Sequence, residues 1–309
     1  MLALNTRICN RRLCSGNHRG SAARLREMRQ VFSPTGVALS VILIGSTAFS
    51  QSAPQRPEIS ANELARRVVT NELKTASEDH SHWMYRLGKE ESRKKQVREI
   101  IQTKEGSFDE LLSVNDRPLT AGQEREENRR IQKLISSPDE QRKLERERNE
   151  DAAQSRRLLQ MLPDAFVFSY ADQGDLIKLN FRPNPTFHPL SREARVFHAM
   201  EGEMWIDHKQ ERLAEITGHL VQDVKFGGGV LGHLDKGGQF EVKQAEVAPG
   251  HWDITVLNVD MKGKALFFKT IGVHEKEYRS NFRRVADDLT PAQAADILSR
   301  QTIEGMDRS

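Results

Sequence analysis

The second half of the chain alternates short apolar runs with turn residues, and this alternation most constrains what the chain can fold into. Within several runs apolar and polar residues alternate, as on a sheet with one buried face. Glycine, aspartate and proline separate the runs. The pattern predicts a long antiparallel up-and-down sheet that curls. Its candidate strands are residues 166–170, 176–181, 195–199, 203–207, 213–225, 240–247, 251–259 and 265–274.

The first half mixes strand-like runs with capped helices. Residues 83–87, 97–102 and 110–114 predict an antiparallel meander. Ser60 and Glu63 form a capping-box pattern that starts a helix at Ala61. Similar signals after Thr120 and Ser137 start two more helices, the second reaching Leu162, where Pro163 ends it. A last helix begins at Thr290 and Pro291.

Together these elements predict an α+β fold. The expected architecture is one strongly curved antiparallel β-sheet, a half-barrel, with covering and inserted α-helices. We assign residues 59–301 to a single domain with a helical insert at 119–162, and residues 302–309 to a disordered tail. Residues 51–58 are polar and contain proline, which predicts a disordered lead-in.

The N-terminus has the organisation of a secretory signal peptide. Arg29 precedes an apolar run from Val37, and Ala48 and Ser50 are the small residues that suit cleavage before Gln51. The apolar core is shorter than the roughly 20 residues needed to span a bilayer, although a short membrane anchor is the alternative. We therefore expect residues 1–50 to be removed, with Met28 an alternative start. The mature protein is expected in the periplasm, without a transmembrane anchor.

Charge and cysteine content narrow the function classes. Residues 1–50 hold seven basic residues and one acidic residue, so the remainder carries a formal charge of −3, against +3 for the whole chain. The excess of basic residues therefore lies in the leader, and the charge of the chain gives no reason to expect a nucleic-acid partner. Both cysteines, Cys9 and Cys14, also lie in the leader, so the mature chain is expected to use neither disulfides nor thiolate chemistry.

Two adjacent segments carry a family resemblance. Residues 203–207 read Glu-Met-Trp-Ile-Asp, and residues 212–216 read Arg-Leu-Ala-Glu-Ile before a long return strand. They resemble the tryptophan-isoleucine-aspartate strand and its partner in the periplasmic lipoprotein-carrier superfamily, which includes LolA-like carriers, LppX-like lipid-binding lipoproteins and RseB-like sensors. The resemblance implies a half-barrel whose concave apolar face suits an acyl chain. The charged insert at 119–157 departs from a compact carrier.

This reading predicts a non-enzymatic envelope protein, without a cofactor, that binds a lipid or the acyl group of a lipoprotein. The alternative is a ligand-free scaffold or sensor of the same fold that binds another envelope protein. The same apolar side chains would simply form the core in that case, because a filled and an open concave face show the same alternation. The cavity candidates are Ile177, Leu179, Phe181, Trp205, Ile206, Trp252, Ile254 and Val256.

A metal-dependent hydrolase is the third reading. His80 and His82 have the i,i+2 spacing that puts two rings on one face of a strand. A second group of possible nitrogen and oxygen ligands comprises His198, Glu201, Glu203, Asp207 and His208. Neither group matches a strict metal motif. The glycine stretch 226–232 lacks the lysine and hydroxyl residue of a phosphate loop and predicts a hairpin, and no nucleophile-elbow motif is present.

Overall fold

Side chains that accept hydrogen bonds from backbone amides fix the starts of the helices. In the computed structural model, which describes residues 59–91, 94–265 and 269–306, Ser60 accepts from the Glu63 N–H at 3.1 Å, and Thr120 and Gln123 form a complete capping box. Ser137 caps the third helix, which has Pro138 in its first turn. The helices are α1 (Ala61–Glu78), α2 (Ala121–Ser136), α3 (Pro138–Ala165), α4 (Arg192–Phe197) and α5 (Pro291–Met306).

The strands form one open antiparallel sheet of 13 strands, which confirms the predicted fold class. They are β1 (His82–Glu91), β2 (Lys94–Thr103), β3 (Gly106–Val114), β4 (Arg117–Pro118), β5 (Phe166–Gln173), β6 (Leu176–Pro183), β7 (Met200–Asp207), β8 (Arg212–Leu220), β9 (Val224–Phe226), β10 (Gly232–Leu234), β11 (Gln239–Ala248), β12 (His251–Ala265) and β13 (Lys269–Val285). Their order is β4-β3-β2-β1-β13-β12-β11-β8-β7-β6-β5, and β10 pairs with β9 and β12. The first strand therefore pairs with the last.

Two hydrophobic cores lie on opposite faces of this sheet. The larger core joins α1 and the end of α3 to β5–β8, β11 and β12, and the smaller joins α2 and α5 to β1–β3. Leu257 of the larger core pairs with Glu277, and Glu277 pairs with Lys89, so these three side chains lie on the same face of the sheet. Met84 of the second core is an odd number of positions from Lys89 along β1, so it points to the other face.

The structure corrects several predicted boundaries. Residues 195–199 are not a strand, because Ser191 caps a short helix, α4, whose Ala194 is buried. The strand predicted at 213–225 divides into β8 and β9, with a turn between them. α3 continues through Pro163 to Ala165, since a proline in the last turn removes only one helical hydrogen bond.

At the two ends of the domain the predictions fare differently. α5 extends to Met306, so part of the tail predicted at 302–309 is helical. The predicted signal peptide and lead-in, residues 1–58, lie outside the described residues. All described residues belong to one compact unit. Within the described part of the chain, no helix combines the length and apolar character needed to cross a membrane.

The glycine stretch forms the predicted hairpin. Gly227, Gly228 and Gly229 make a short 3-10 turn between β9 and β10, with φ of 55°, 66° and 96°. These positive values lie in the region that side chains disfavour, so the turn needs glycine.

Candidate functional site

The predicted cavity residues of β6 and β7 fill the larger core. Leu179 and Ile206 are 0% exposed, Phe181 is also buried, and Ile177 packs against them. Helix α1 covers this face with Leu64, Ala65, Val68 and Val69, which are themselves buried. These side chains therefore occupy the space that an acyl chain would need.

The three cavity candidates in β12, Trp252, Ile254 and Val256, do not share one face. Ile254 pairs with Gln244 and Val256 pairs with Lys243, so the register shifts at Thr255 and a β-bulge places Ile254 and Val256 on opposite sides. Ile254 is buried in the core, whereas Val256 is half-buried on the other face. The prediction that Trp252, Ile254 and Val256 line one face is wrong for Val256.

The two tryptophans among the candidates contact cations. Trp205 lies on the face opposite Ile206, with Lys178 Nζ 5.1 Å from its ring centroid. The Arg212 guanidinium lies 5.4 Å from the Trp252 ring, and Trp252 Nε1 donates to Gln210 Oε1 at 3.0 Å. Polar partners therefore hold both rings, Trp252 beside Arg212 and Trp205 on the sheet face opposite the core.

An open groove with a mixed polar and apolar lining, named the polar groove after its row of polar side chains, crosses the sheet on the face away from α1. It has a volume of about 780 Å³. Strand register aligns one polar residue from each of six strands along it. This polar row consists of Ser169, Asn180, Glu203, Thr217, Glu241 and Asn258. The row gives the groove hydrogen-bonding groups at a regular interval, about 4.8 Å from strand to strand.

Charged pairs border the polar row. Glu201 lies 3.3 Å from His219 Nε2, and Lys178 Nζ lies 2.8 Å from Glu203. Lys243 contacts Glu241 at 3.1 Å and Glu215 at 3.3 Å. The hydrogen bond to Glu241 raises the pKa of Lys243 and favours its charged form.

Gly202 and Gly218 alternate with the groove residues of β7 and β8, so a Cβ atom on either would point to the core face behind the groove. A Cβ atom on Gly202 would lie 2.0 Å from the Thr217 carbonyl oxygen and 2.8 Å from the Phe181 ring. A Cβ atom on Gly218 would lie 2.5 Å from the Phe240 ring. Only glycine permits these contacts, so the close approach of the two strands is set by sequence.

A second polar group lies buried where β12 and β13 diverge. Their pairing runs from Val256–Tyr278 to the end of β12, so Asp253 and Arg279 lie just beyond the last pair, whereas Glu275 and Glu277 lie within the paired part. Asp253 Oδ1 accepts from Arg279 Nη1 at 3.2 Å, and Lys89 pairs with Glu275 and Glu277. Burial alone would lower the pKa values of Lys89 and Arg279, but their acidic neighbours raise both. Both cations therefore stay charged.

His251 extends this group toward α1. Its Nδ1 lies 3.0 Å from Asp79 Oδ2, and its ring stacks on Trp83 with centroids 4.1 Å apart. Burial alone would raise the pKa of Asp79, but hydrogen bonds from Ser81 and the nearby His251 lower it. His251 Nε2 is buried without a hydrogen bond. The enclosed ring suits a connection between α1, β1 and β12 better than catalysis on a substrate that must enter.

The predicted metal ligands are dispersed. His80 is exposed before β1, while His82 lies 3.7 Å from Asp287. In the second group, Glu201 and Glu203 pair with His219 and Lys178, as described above. His198 follows α4, and Asp207 accepts from the Gln210 N–H. Among the described residues, no three His, Cys, Asp or Glu side chains form a cluster that could hold a metal ion.

The groove was missed at the sequence level although its signal is present. Glu201 and Glu203, then Glu215, Thr217 and His219, alternate with apolar residues or glycine on their strands. A search for apolar positions favours the buried face and overlooks this polar one. The charged group beside β13 has no comparable local signal, because its members come from the C-cap of α1 and from β1, β12 and β13.

Comparisons of the chain with protein-family models, curated proteins and solved structures give no match.

Proposed function

We propose that this chain is a non-enzymatic, exported envelope protein that binds a segment of another protein in its open polar groove. The observation that carries the proposal is the contrast between the two sheet faces. The face expected to hold an acyl chain is filled by its own side chains and by α1, whereas the opposite face has an open groove in which a row of polar residues lies among apolar surface. This contrast favours the scaffold or sensor reading over the lipid carrier.

The dimensions of the groove suit an extended polypeptide. Six strands give five inter-strand spacings, or about 24 Å, which holds about seven extended residues. The lining carries Glu201, Glu203 and Glu241 against Arg182 and His219. Because these glutamates already pair with His219, Lys178 and Lys243, the lining favours a segment that offers both hydrogen-bond donors and acceptors rather than one sign of charge.

Site-specific photo-crosslinking tests the proposal. A photoreactive amino acid replaces Thr217 or Glu241 in the groove, and Arg129 on the exposed side of α2 serves as the control position. In cells that produce the protein, the two groove positions should yield the same discrete protein adduct, and Arg129 should not. No protein adduct from either groove position, or equal labelling from Arg129, would refute the proposal.

Native mass spectrometry of the same preparation separates this function from the lipid carrier. We expect the mass of the purified protein without a lipid increment, because Leu179 and Ile206, which were expected to line the cavity, are packed in the core and 0% exposed. A stoichiometric lipid increment, together with binding of a fluorescent fatty acid, would instead favour acyl transport.

A further inference from the structure

We propose that the β9–β10 hairpin docks the protein on an anionic phospholipid surface. The hairpin presents Val230 with 76% of its surface exposed and Leu231 with 45% exposed. Exposed large aliphatic side chains next to each other at a turn are costly in water unless they meet an apolar phase. This surface is distinct from the polar groove, so the inference does not depend on the proposed function.

The turn holds the two side chains in a defined position. Val230 N–H donates to the Gly227 carbonyl at 3.1 Å, and Leu231 N–H donates to the Phe226 carbonyl at 3.2 Å. A Cβ atom on Gly227 would lie 2.7 Å from Leu231 Cγ, so Leu231 packs directly on the glycine turn. With its backbone fixed in this way, the turn projects Val230 outward at little entropic cost on binding.

Lysines flank the exposed pair. Lys225 of β9 and Lys264 of β12 lie on either side of His233 in the strand register, and Lys262 lies two residues further along β12 on the same face. All three lysines are exposed, and Lys225 lies next to the turn, 3.9 Å from where a Cβ atom on Gly229 would lie. The acids beside this strip are Asp235, which contacts His233 at 3.0 Å, Asp223, which accepts from the Lys236 N–H, and Asp260, which lies 3.8 Å from His274.

This combination fits one partner chemistry. Aliphatic side chains enter the boundary between headgroups and acyl chains, while lysines pair with anionic headgroups around them. Each lysine near such a surface strengthens binding about fivefold. A protein partner would be expected to bring aromatic or hydrogen-bonding contacts to the centre of the interface instead.

Vesicle co-sedimentation tests the proposal. The full chain and the chain without residues 1–50 are each mixed with phosphatidylcholine vesicles, with and without phosphatidylglycerol, so that binding by the apolar run at 37–50 is measured separately. We expect the shortened chain to bind the anionic vesicles preferentially, and less at high salt. Absence of binding to anionic vesicles by the shortened chain overturns the proposal.

Variants with matched controls assign the contact. Val230→Glu should weaken binding by about tenfold or more, and Val230→Trp should strengthen it because tryptophan favours the interface. Lys225→Gln combined with Lys264→Gln should weaken it about 25-fold.

Leu144→Glu and Lys143→Gln, exposed on α3, should change nothing. Equal losses in these controls, or a Val230→Glu variant that binds like wild type, refute the proposal. So does a sedimentation-velocity result in which Val230 instead mediates association between copies of the chain.

Discussion

At the scale of single residues, a buried ion pair joins α1 to the sheet. Arg212 Nε and Nη2 donate to the two Glu72 oxygens at 2.7 and 3.0 Å, and the Leu213 N–H donates to Glu72 Oε1 at 2.9 Å. Both side chains are 8% exposed. Three hydrogen bonds satisfy the carboxylate, so the cost of removing one partner is the cost of an uncompensated buried charge.

This geometry predicts a large asymmetry between two ion pairs of α1. Arg212→Met leaves the Glu72 carboxylate without its cation and should lower the free energy of unfolding by about 3–5 kcal/mol, measured by urea denaturation. Combining it with Glu72→Met should restore much of the loss. Arg67→Met, which breaks an exposed pair with Glu211, should cost about 1 kcal/mol or less. Similar costs for Arg67→Met and Arg212→Met would contradict this account.

A second residue-scale prediction concerns Glu127 on α2. Its Oε1 accepts from the Leu111 N–H at 2.7 Å and from Arg130 at the same distance. Burial alone would raise the pKa of Glu127, but these hydrogen bonds and the charges of Arg130 and Arg98 lower it below its ordinary value of 4.5. A lowered folded-state pKa stabilises the protein above that ordinary value, and this contribution is lost as the pH falls through the lowered pKa.

Glu127→Gln should therefore be less stable than wild type at neutral pH, and the difference should shrink as the medium becomes more acidic than pH 4.5. Urea midpoints across an acidic pH series measure this convergence. Glu126→Gln, at the neighbouring exposed position of the same helix, should keep a midpoint close to that of wild type. A stability difference for Glu127→Gln that stays constant in acid would argue against the paired carboxylate.

At the scale of elements, the contact between β7 and β8 has no room for an added atom at Gly202. Because a Cβ atom on Gly202 would meet backbone rather than a movable side chain, Gly202→Ala should lower the free energy of unfolding by about 3 kcal/mol. Gly174 lies in the exposed β5–β6 turn, with only one backbone atom at 4.0 Å, and Gly174→Ala should stay within about 0.5 kcal/mol of wild type. Thermal unfolding of both variants measures the contrast, and a tolerated Gly202→Ala would mean that the two strands can separate.

Element starts were predictable where the signal is local. Ser60, Thr120 and Ser137 cap helices at the predicted positions because a cap depends only on residues within one turn. The short apolar run at Val196 and Phe197 was misread as a strand, because four or five residues fit either period. The bulge at Thr255 had no signal in its own strand, since it is defined by the pairing of Lys243 and Gln244 in β11.

At the scale of the whole molecule, the curved sheet was predictable from the alternation of apolar and polar residues. Which face of the sheet is packed and which is open was not predictable. Sequence patterns locate apolar residues without saying which face a helix covers, so Leu179 and Ile206 were chosen as cavity candidates when α1 in fact packs on their face. The polar row from Ser169 to Asn258 depends on the register of six strands. That register is a tertiary property, and it is the reason why the candidate site emerged only from the structure.

The pairing of the first strand with the last sets a delay on biogenesis. Lys89 of β1 and Glu275 of β13 are 186 positions apart, so one edge of β1 lacks its final neighbour until β13 has been synthesised. At synthesis rates of about 5–20 residues per second, that wait is about 10–40 s. During this wait the domain is incomplete, and the chain can still pass unfolded through a translocation channel. We expect a chaperone that shields unpaired strand edges to bind the newly made β1 and β2.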